Sequence, residues 1–131
     1  MIVADTSVVV AAVAEWHAAH AVADAVLASV AIAHTLVEAY SVLTRIPEPQ
    51  RVDPATAAAV LRGRFRRALT LPPKQFLALP TTLAGLGILG GASYDALIAL
   101  TAAAHGASLV TLDQRALRTY RLCGVEARLL G

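Results

Sequence analysis

The chain contains little cysteine, little charge and almost no lysine. Its 131 residues include one cysteine, Cys123, which excludes an internal disulfide framework and a zinc site built from several cysteines. Charged residues make up 15% of the chain and apolar residues 57%, which excludes a disordered or solvating segment. No basic segment precedes the first apolar run, and Asp5 interrupts that run. We therefore expect no secretory signal, and a cytoplasmic protein.

One uncharged stretch, residues 75–94, is about as long as a bilayer span. It contains Pro80 and four glycines, and Asp95 follows it directly. A spanning segment has to be a continuous apolar helix. We therefore predict that the protein does not interact with a membrane.

Short apolar runs alternate with helical patterns along the whole chain. Strands are predicted at residues 1–4, 30–33, 69–71, 108–112 and 125–130. Helices are predicted at residues 7–13, 15–28, 34–45, 55–67, 75–89, 95–105 and 114–122. This alternation is typical of an α/β domain with helices on both faces of a parallel sheet. We predict one domain over residues 1–131, with a three-layer α/β/α architecture and a short, mainly parallel central sheet.

Four of the nine acidic residues stand beside or within apolar segments: Asp5, Glu38, Asp95 and Asp113. Asp5 and Asp113 each follow a predicted strand, which places both at the carboxyl edge of a parallel sheet. Asp95 begins a predicted helix that would point at the same edge, and Glu38 lies between apolar neighbours. Two carboxylates about 4 Å apart repel each other by roughly 4 kcal/mol at an effective dielectric constant near 20. Such a cluster persists by protonation or by binding a cation.

Each acid also has an ordinary structural interpretation. Asp5, Asp95 and Asp113 are all suitable helix N-caps, and Glu38 would fit a polar helix face with Arg45. As a metal site, the four would offer only oxygen ligands, which favours Mg²⁺ or Mn²⁺ over zinc. The matching chemistry is metal-assisted hydrolysis of a phosphodiester bond.

Arginine supplies ten of the eleven basic residues and is concentrated in two segments. Four arginines fall within residues 62–67, and Arg115, Arg118 and Arg121 follow Asp113 at helical spacing. The two segments are either solvated helix faces or a basic rim that contacts the phosphates of a polyanion.

Four segments in order resemble the motifs of PIN-domain ribonucleases, and among these the chain is most similar to VapC-type toxins. They are residues 1–7 (MIVADTS), 36–38 (LVE), 94–99 (YDALIA) and 109–115 (LVTLDQR). The resemblance implies a PIN-like fold and a metal-dependent endoribonuclease with Mg²⁺ or Mn²⁺ at Asp5, Glu38, Asp95 and Asp113. Ser7 and Thr111 match the hydroxyl positions that support this site. Leu112 departs from the pattern, because a polar or basic residue is common there.

The resemblance also implies partners. They are a second copy of the chain, a VapB-type antitoxin that blocks the groove, and a structured RNA such as tRNA or ribosomal RNA. In this interpretation Arg115 and Arg118 steer the RNA. One alternative is a catalytically degenerate PIN domain that acts as an RNA or protein adaptor. Another is a receiver-like domain, but that fold requires a lysine after a late strand, and the only lysine is Lys74.

Overall fold

Five short strands and eight α-helices alternate along the chain in a computed structural model that describes all 131 residues. The strands are β1 (Ile2–Ala4), β2 (Val30–Ile32), β3 (Arg67–Leu69), β4 (Ser108–Thr111) and β5 (Ala127–Leu129). The helices are α1 (Thr6–Val13), α2 (His20–Val26), α3 (Ala33–Arg45), α4 (Pro54–Arg64), α5 (Pro73–Leu77), α6 (Leu79–Leu86), α7 (Ala92–Ala104) and α8 (Leu117–Leu122). A 3₁₀ turn, Gln114–Ala116, precedes α8.

All strand pairs are parallel, which agrees with the mainly parallel sheet that was predicted. One group of three strands has the order β1-β4-β5, with Val3 opposite Leu109, and a second group pairs β2 with β3. The two groups touch where β1 packs beside β2. The single central sheet that we predicted is therefore two hydrogen-bonded groups of strands lying side by side.

Side chains alternate along the strands between two hydrophobic clusters. Ala4 and Val110 belong to a cluster with residues of α1, α2, α3 and α4. Val3 and Leu109, their neighbours along the strands, belong to a second cluster with residues of α7 and α8. Because successive strand residues point to opposite faces, helices cover both faces of the strands. The predicted three-layer architecture is confirmed.

Two predicted boundaries in the middle of the chain are wrong. The helix predicted over residues 55–67 ends at Arg64, and the strand predicted at residues 69–71 is β3, Arg67–Leu69. Pairing with β2 accounts for the shift, because Leu69 lies opposite Ile32 and both side chains are buried. Helical propensity up to Arg67 is overridden by this tertiary pairing.

Two predicted helices are shorter than their patterns indicated. The helix predicted over residues 75–89 is split into α5 and α6, because in a continuous helix Pro80 could not donate to the carbonyl of Phe76 and its ring would crowd that carbonyl. The helix predicted over residues 15–28 begins only at His20, after a turn that leaves Trp16 half exposed. None of the helices has the length and apolar character needed to cross a bilayer.

Candidate active site

Asp5 lies between the end of β1 and the start of α1, at the carboxyl edge of the sheet. Its side chain is buried, with 3% of the residue exposed. Oδ1 accepts hydrogen bonds from Ser7 Oγ at 2.5 Å and from the Val8 amide at 3.3 Å. Oδ2 accepts from Thr111 Oγ1 and, at 2.7 Å, from Tyr120 Oη. Burial raises the pKa of Asp5 and these hydrogen bonds oppose that effect, so Asp5 is both a helix N-cap and a buried, well-supported carboxylate.

The two predicted supporting hydroxyls connect Asp5 to the loop that carries Asp113. Thr111, fully buried at the end of β4, donates to Asp5 and accepts from the Asp113 amide at 2.9 Å. Ser7 Oγ accepts from the Leu112 amide at 2.9 Å. Asp113 also caps the following 3₁₀ turn by accepting from the Arg115 amide at 3.0 Å. The backbone of this loop is thus held against the start of α1.

Glu38 extends from α3 towards the start of α1, whereas its neighbours Val37 and Tyr40 are exposed. Its side chain is 37% exposed, and Oε1 accepts a hydrogen bond from Thr6 Oγ1 at 2.8 Å. His34, one turn earlier on α3, places Nε2 3.3 Å from the same oxygen without making a hydrogen bond. Thr6 is the first residue of α1, so this contact brings Glu38 to the end of α1 that Asp5 caps.

Asp95 lies in the first turn of α7, which begins three residues earlier at Ala92. It is therefore not the N-cap that its sequence position allowed. Burial raises the pKa of Asp95 most, and the negative charges of Glu38, Asp5 and Asp113 raise it further, to about 6. Coupling to all three acids means that the four predicted residues share one electrostatic site.

The four acids interact electrostatically but do not form a closed cage of ligands. No three Asp, Glu, His or Cys side chains lie close enough together to hold a metal ion directly. The available donors are carboxylate and hydroxyl oxygens, and repulsion among the acids raises the pKa of Asp95. Mg²⁺ is usually held by one or two carboxylates and keeps several waters. The residues present therefore fit a hydrated ion better than an ion enclosed by protein.

The two arginine segments differ in their surroundings. The Arg115 side chain is 97% exposed, with Nε 3.8 Å from Asp113 Oδ1. Arg118 and Arg121 line a cavity of about 470 Å³ beside α8. In the other segment, Arg64 is paired with Asp24 at 2.6 Å. A larger cavity of about 520 Å³ lies between α3, α4 and β3, and none of the four acids lines it.

The sequence did not identify three residues that contact the acids. Tyr120 hydrogen-bonds to Asp5, Thr6 hydrogen-bonds to Glu38, and His34 lies against Glu38. The helical spacing of Tyr120 with apolar neighbours in α8 indicates a buried ring. Nothing local, however, shows that its hydroxyl reaches a residue 115 positions away.

Comparison with known proteins identifies the family. The PIN domain model matches residues 2–122, and the chain belongs to the PIN domain family. It is 44% identical over 133 residues to ribonuclease VapC40 of Mycobacterium tuberculosis, covering 99% of each chain. It is 45% identical over 125 residues to ribonuclease VapC27 of the same species, covering 93% of this chain and 91% of the relative. The predicted resemblance to VapC-type proteins of this family is confirmed.

A solved structure shows the same fold. The crystal structure of VapBC2 from Rickettsia felis, bound to a DNA fragment from their promoter, contains a chain that matches with a TM-score of 0.68. The match covers 100% of both chains at 18% sequence identity. At this identity the likeness concerns the fold, and it confirms the predicted PIN-like α/β architecture.

Proposed function

We propose that this protein is a metal-dependent endoribonuclease and the toxin component of a VapBC toxin–antitoxin module. The observation that carries the proposal is that Thr6 and Thr111, by their hydrogen bonds, bring Glu38 and the loop of Asp113 to the end of α1 that Asp5 caps. The charges of these three acids also raise the pKa of Asp95. The VapC relatives, which are ribonucleases by name, support RNA as the substrate. Hydrolysis of a phosphodiester bond uses a cation at such an acidic site.

In this mechanism three of the acids bind the metal ion, and the fourth orients the attacking water. We assign Asp5, Asp95 and Asp113 to hold Mg²⁺, or Mn²⁺, directly or through water. When bound, the ion lowers the pKa of a water molecule and neutralises charge that develops on the phosphate. Glu38 is held by Thr6 and is free to accept a hydrogen bond from the attacking water and to orient it. Ser7 and Thr111 keep the buried carboxylate of Asp5 in place.

In this proposal, Arg115 and Arg118 form a basic rim that contacts the RNA. Arg115 and Arg118 are exposed and lie two and five residues after Asp113. Guanidinium groups bind phosphate oxygens in a bidentate manner, which suits the backbone of a structured RNA such as tRNA or ribosomal RNA. A VapB-type antitoxin, a homodimer and a cytoplasmic location complete the proposal. The likeness to a VapBC2 complex supports the antitoxin.

Cleavage of RNA by Asp5→Asn tests the proposal directly. The change keeps the shape of the side chain but removes the charge that would hold the ion. Changes to groups that merely support a metal ligand cost about 10- to 100-fold, so we expect a loss of at least about 100-fold. The assay uses total cellular RNA with Mg²⁺ or Mn²⁺, and EDTA in a parallel sample.

Asp53→Asn is the matched control. Asp53 is an exposed N-cap of α4, where asparagine caps about as well as aspartate, so cleavage should be unchanged. Equal cleavage by wild type and Asp5→Asn would rule out the assigned site. Undiminished cleavage in EDTA would rule out dependence on a metal ion.

A catalytically degenerate adaptor is the second candidate, favoured by the lack of a ready-made cluster of three ligands. This candidate predicts RNA or protein binding without any divalent-ion binding at neutral pH. Isothermal titration of the protein with Mn²⁺ separates the two functions. A binding isotherm that Asp5→Asn abolishes supports the nuclease, and a flat titration of the wild type supports the adaptor.

A further inference from the structure

Two aromatic rings stack on each other beside the acidic site. Tyr94 belongs to the first turn of α7 and His34 to the first turn of α3. Their ring centroids are 5.6 Å apart, and the planes differ by 6°. This separation with nearly parallel planes is the offset geometry that aromatic pairs prefer. The pair is therefore a defined contact between two helices.

The two rings are unequally exposed. Tyr94 is 57% exposed, whereas the His34 side chain is 24% exposed and its Nε2 is shielded from solvent. His34 therefore covers one face of the Tyr94 ring and leaves most of the remaining ring open to solvent. An aromatic ring that is already held in one orientation loses little conformational entropy when a ligand stacks on it.

The helices that carry the rings also carry two of the acids. On α3, His34 and Glu38 are one turn apart, with Nε2 and Oε1 3.3 Å from each other. On α7, Tyr94 directly precedes Asp95. Glu38 and Asp95 belong to the same electrostatic site. The exposed Tyr94 ring is thus linked to the acidic site through His34, which stacks on Tyr94 and lies 3.3 Å from Glu38.

We propose that Tyr94, supported from behind by His34, binds an unpaired nucleobase of the RNA next to the bond that is cut. The inference rests on the proposed nuclease function, because it names how the same site holds its substrate. Single-stranded RNA is commonly bound by stacking its bases on aromatic side chains. Tyr94 thereby favours an unpaired nucleotide at the cleavage site over a continuous duplex. His34 acts on the base only through Tyr94 and is a positioning residue.

A second aromatic pair in the molecule provides the matched control. Trp16 is 50% exposed and lies beside His17, with centroids 5.7 Å apart and planes tilted by 37°. It follows the carboxyl-terminal end of α1, whereas Asp5 precedes the amino-terminal end of that helix. Trp16→Ala therefore removes a similarly exposed ring away from the acids.

The first experiment compares Tyr94→Ala, Tyr94→Phe and Trp16→Ala on a hairpin RNA with an unpaired loop, in Mg²⁺. Loss of base–aromatic stacking should lower kcat/KM of Tyr94→Ala by about 5- to 150-fold, mainly through a higher KM. Tyr94→Phe keeps the ring and should stay within about 2-fold of wild type. Trp16→Ala should cleave like wild type. Equal kcat/KM for Tyr94→Ala and wild type would overturn the stacking role.

Abasic nucleotides placed one at a time in the loop locate the stacked base. At one loop position the abasic RNA should slow the wild type about as much as Tyr94→Ala does. Combining that RNA with Tyr94→Ala should add little further loss, because both changes remove the same contact. Losses that multiply at every loop position would show that Tyr94 contacts no base.

A binding measurement without cleavage separates this inference from the nuclease proposal. In EDTA, wild type and Tyr94→Phe should quench 2-aminopurine in a single-stranded RNA, and Tyr94→Ala should not. Quenching by a wild type that cuts no RNA would support the stacking site and overturn the nuclease. Cleavage and quenching that Tyr94→Ala leaves unchanged would overturn the stacking site and point to a protein contact for this ring.

Discussion

Asp5 and Asp95 are the same residue type in one site, yet the protein supports them in opposite ways. Asp5 is buried and accepts four hydrogen bonds. The donors are the hydroxyls of Ser7, Thr111 and Tyr120 and the backbone amide of Val8. Asp95 is partly exposed, and its pKa reflects burial and three neighbouring negative charges, with no hydrogen bond opposing them. One carboxylate is positioned by donors, and the other is destabilised by burial and further by like charges.

The difference indicates a division of roles within the site. A carboxylate surrounded by donors keeps its position whether or not a ligand is bound. A carboxylate surrounded by other carboxylates is stabilised when a cation or a proton arrives. We therefore expect Asp5 to control the geometry and the stability of the fold, and Asp95 to control the response to divalent ions and to pH.

The largest expected effect is stabilisation by a divalent ion. At a Mg²⁺ concentration of 100 times its Kd, the free energy of unfolding should rise by about 2.7 kcal/mol, because only the folded chain assembles the acids. Urea unfolding with Mg²⁺ or with EDTA measures this rise. Asp95→Asn should lose most of it, and the Asp53→Asn control should keep it. A wild type whose unfolding is the same with and without Mg²⁺ would contradict the role given to Asp95.

Thr111→Val tests the role of donors around Asp5. Asp5 Oδ2 would lose one donor and the Asp113 amide would lose its acceptor. We expect the free energy of unfolding to fall by about 1–3 kcal/mol and RNA cleavage to fall by about 10- to 100-fold. Urea denaturation and initial cleavage rates are the measurements.

Thr101→Val is the control for that change, because Thr101 is equally buried but donates only to the Leu97 carbonyl within α7. It should change neither cleavage nor, by more than about 1 kcal/mol, the free energy of unfolding. If the two variants behave alike, the hydroxyl of Thr111 has no special role.

The pH dependence of the free energy of unfolding should reveal the ionisation of Asp95. Its pKa of about 6 in the folded protein lies above its ordinary value of 3.8, so the folded state binds this proton more tightly than the unfolded chain does. In EDTA, the resulting loss of stability is absent below pH 4, develops as the pH rises towards 6, and is complete above it. Since solvent screens this partly exposed group, we expect a loss of about 1 kcal/mol.

Urea unfolding between pH 4 and pH 7 measures this loss, with Asp95→Asn as the comparison. The variant has no proton to bind at this position, so its stability should vary less over this pH range. If the free energy of unfolding changes with pH in the same way for wild type and Asp95→Asn, then Asp95 is not the source of the loss of stability.

Arg115→Ala should have the smallest effect on the fold and a measurable one on RNA. The side chain is almost fully exposed, so the free energy of unfolding should not change by more than about 0.5 kcal/mol. Loss of one phosphate contact should raise KM and reduce the salt slope of RNA binding by about 0.7. Arg45→Ala, at the far end of α3, should leave both unchanged. An unchanged salt slope for Arg115→Ala would exclude a phosphate contact.

Much of the fold and of the acidic site was predictable from local patterns. Asp5 and Asp113 each follow an apolar strand, and parallel strands bring their carboxyl ends to one edge of the sheet. That these two residues lie at the same edge was therefore predictable from their positions after the strands. The orientation of Glu38 was not predictable from its apolar neighbours, because Val37 and Tyr40 are exposed and Glu38 instead contacts Thr6 of α1. The position of β3 and the partner of the Tyr120 hydroxyl were not predictable, because both depend on residues distant in the chain.

Composition and spacing by themselves determined the α/β class and the parallel strands, and they placed Asp5 and Asp113 at strand ends, because short apolar runs and their flanking polar residues are local features. Only the tertiary structure decided how each acid is held. Packing of α8 brings Tyr120 to Asp5, and packing of α7 against α3 places Asp95 among like charges and Tyr94 on His34. These contacts arise from helix packing across the sheet edge, which no local sequence pattern encodes.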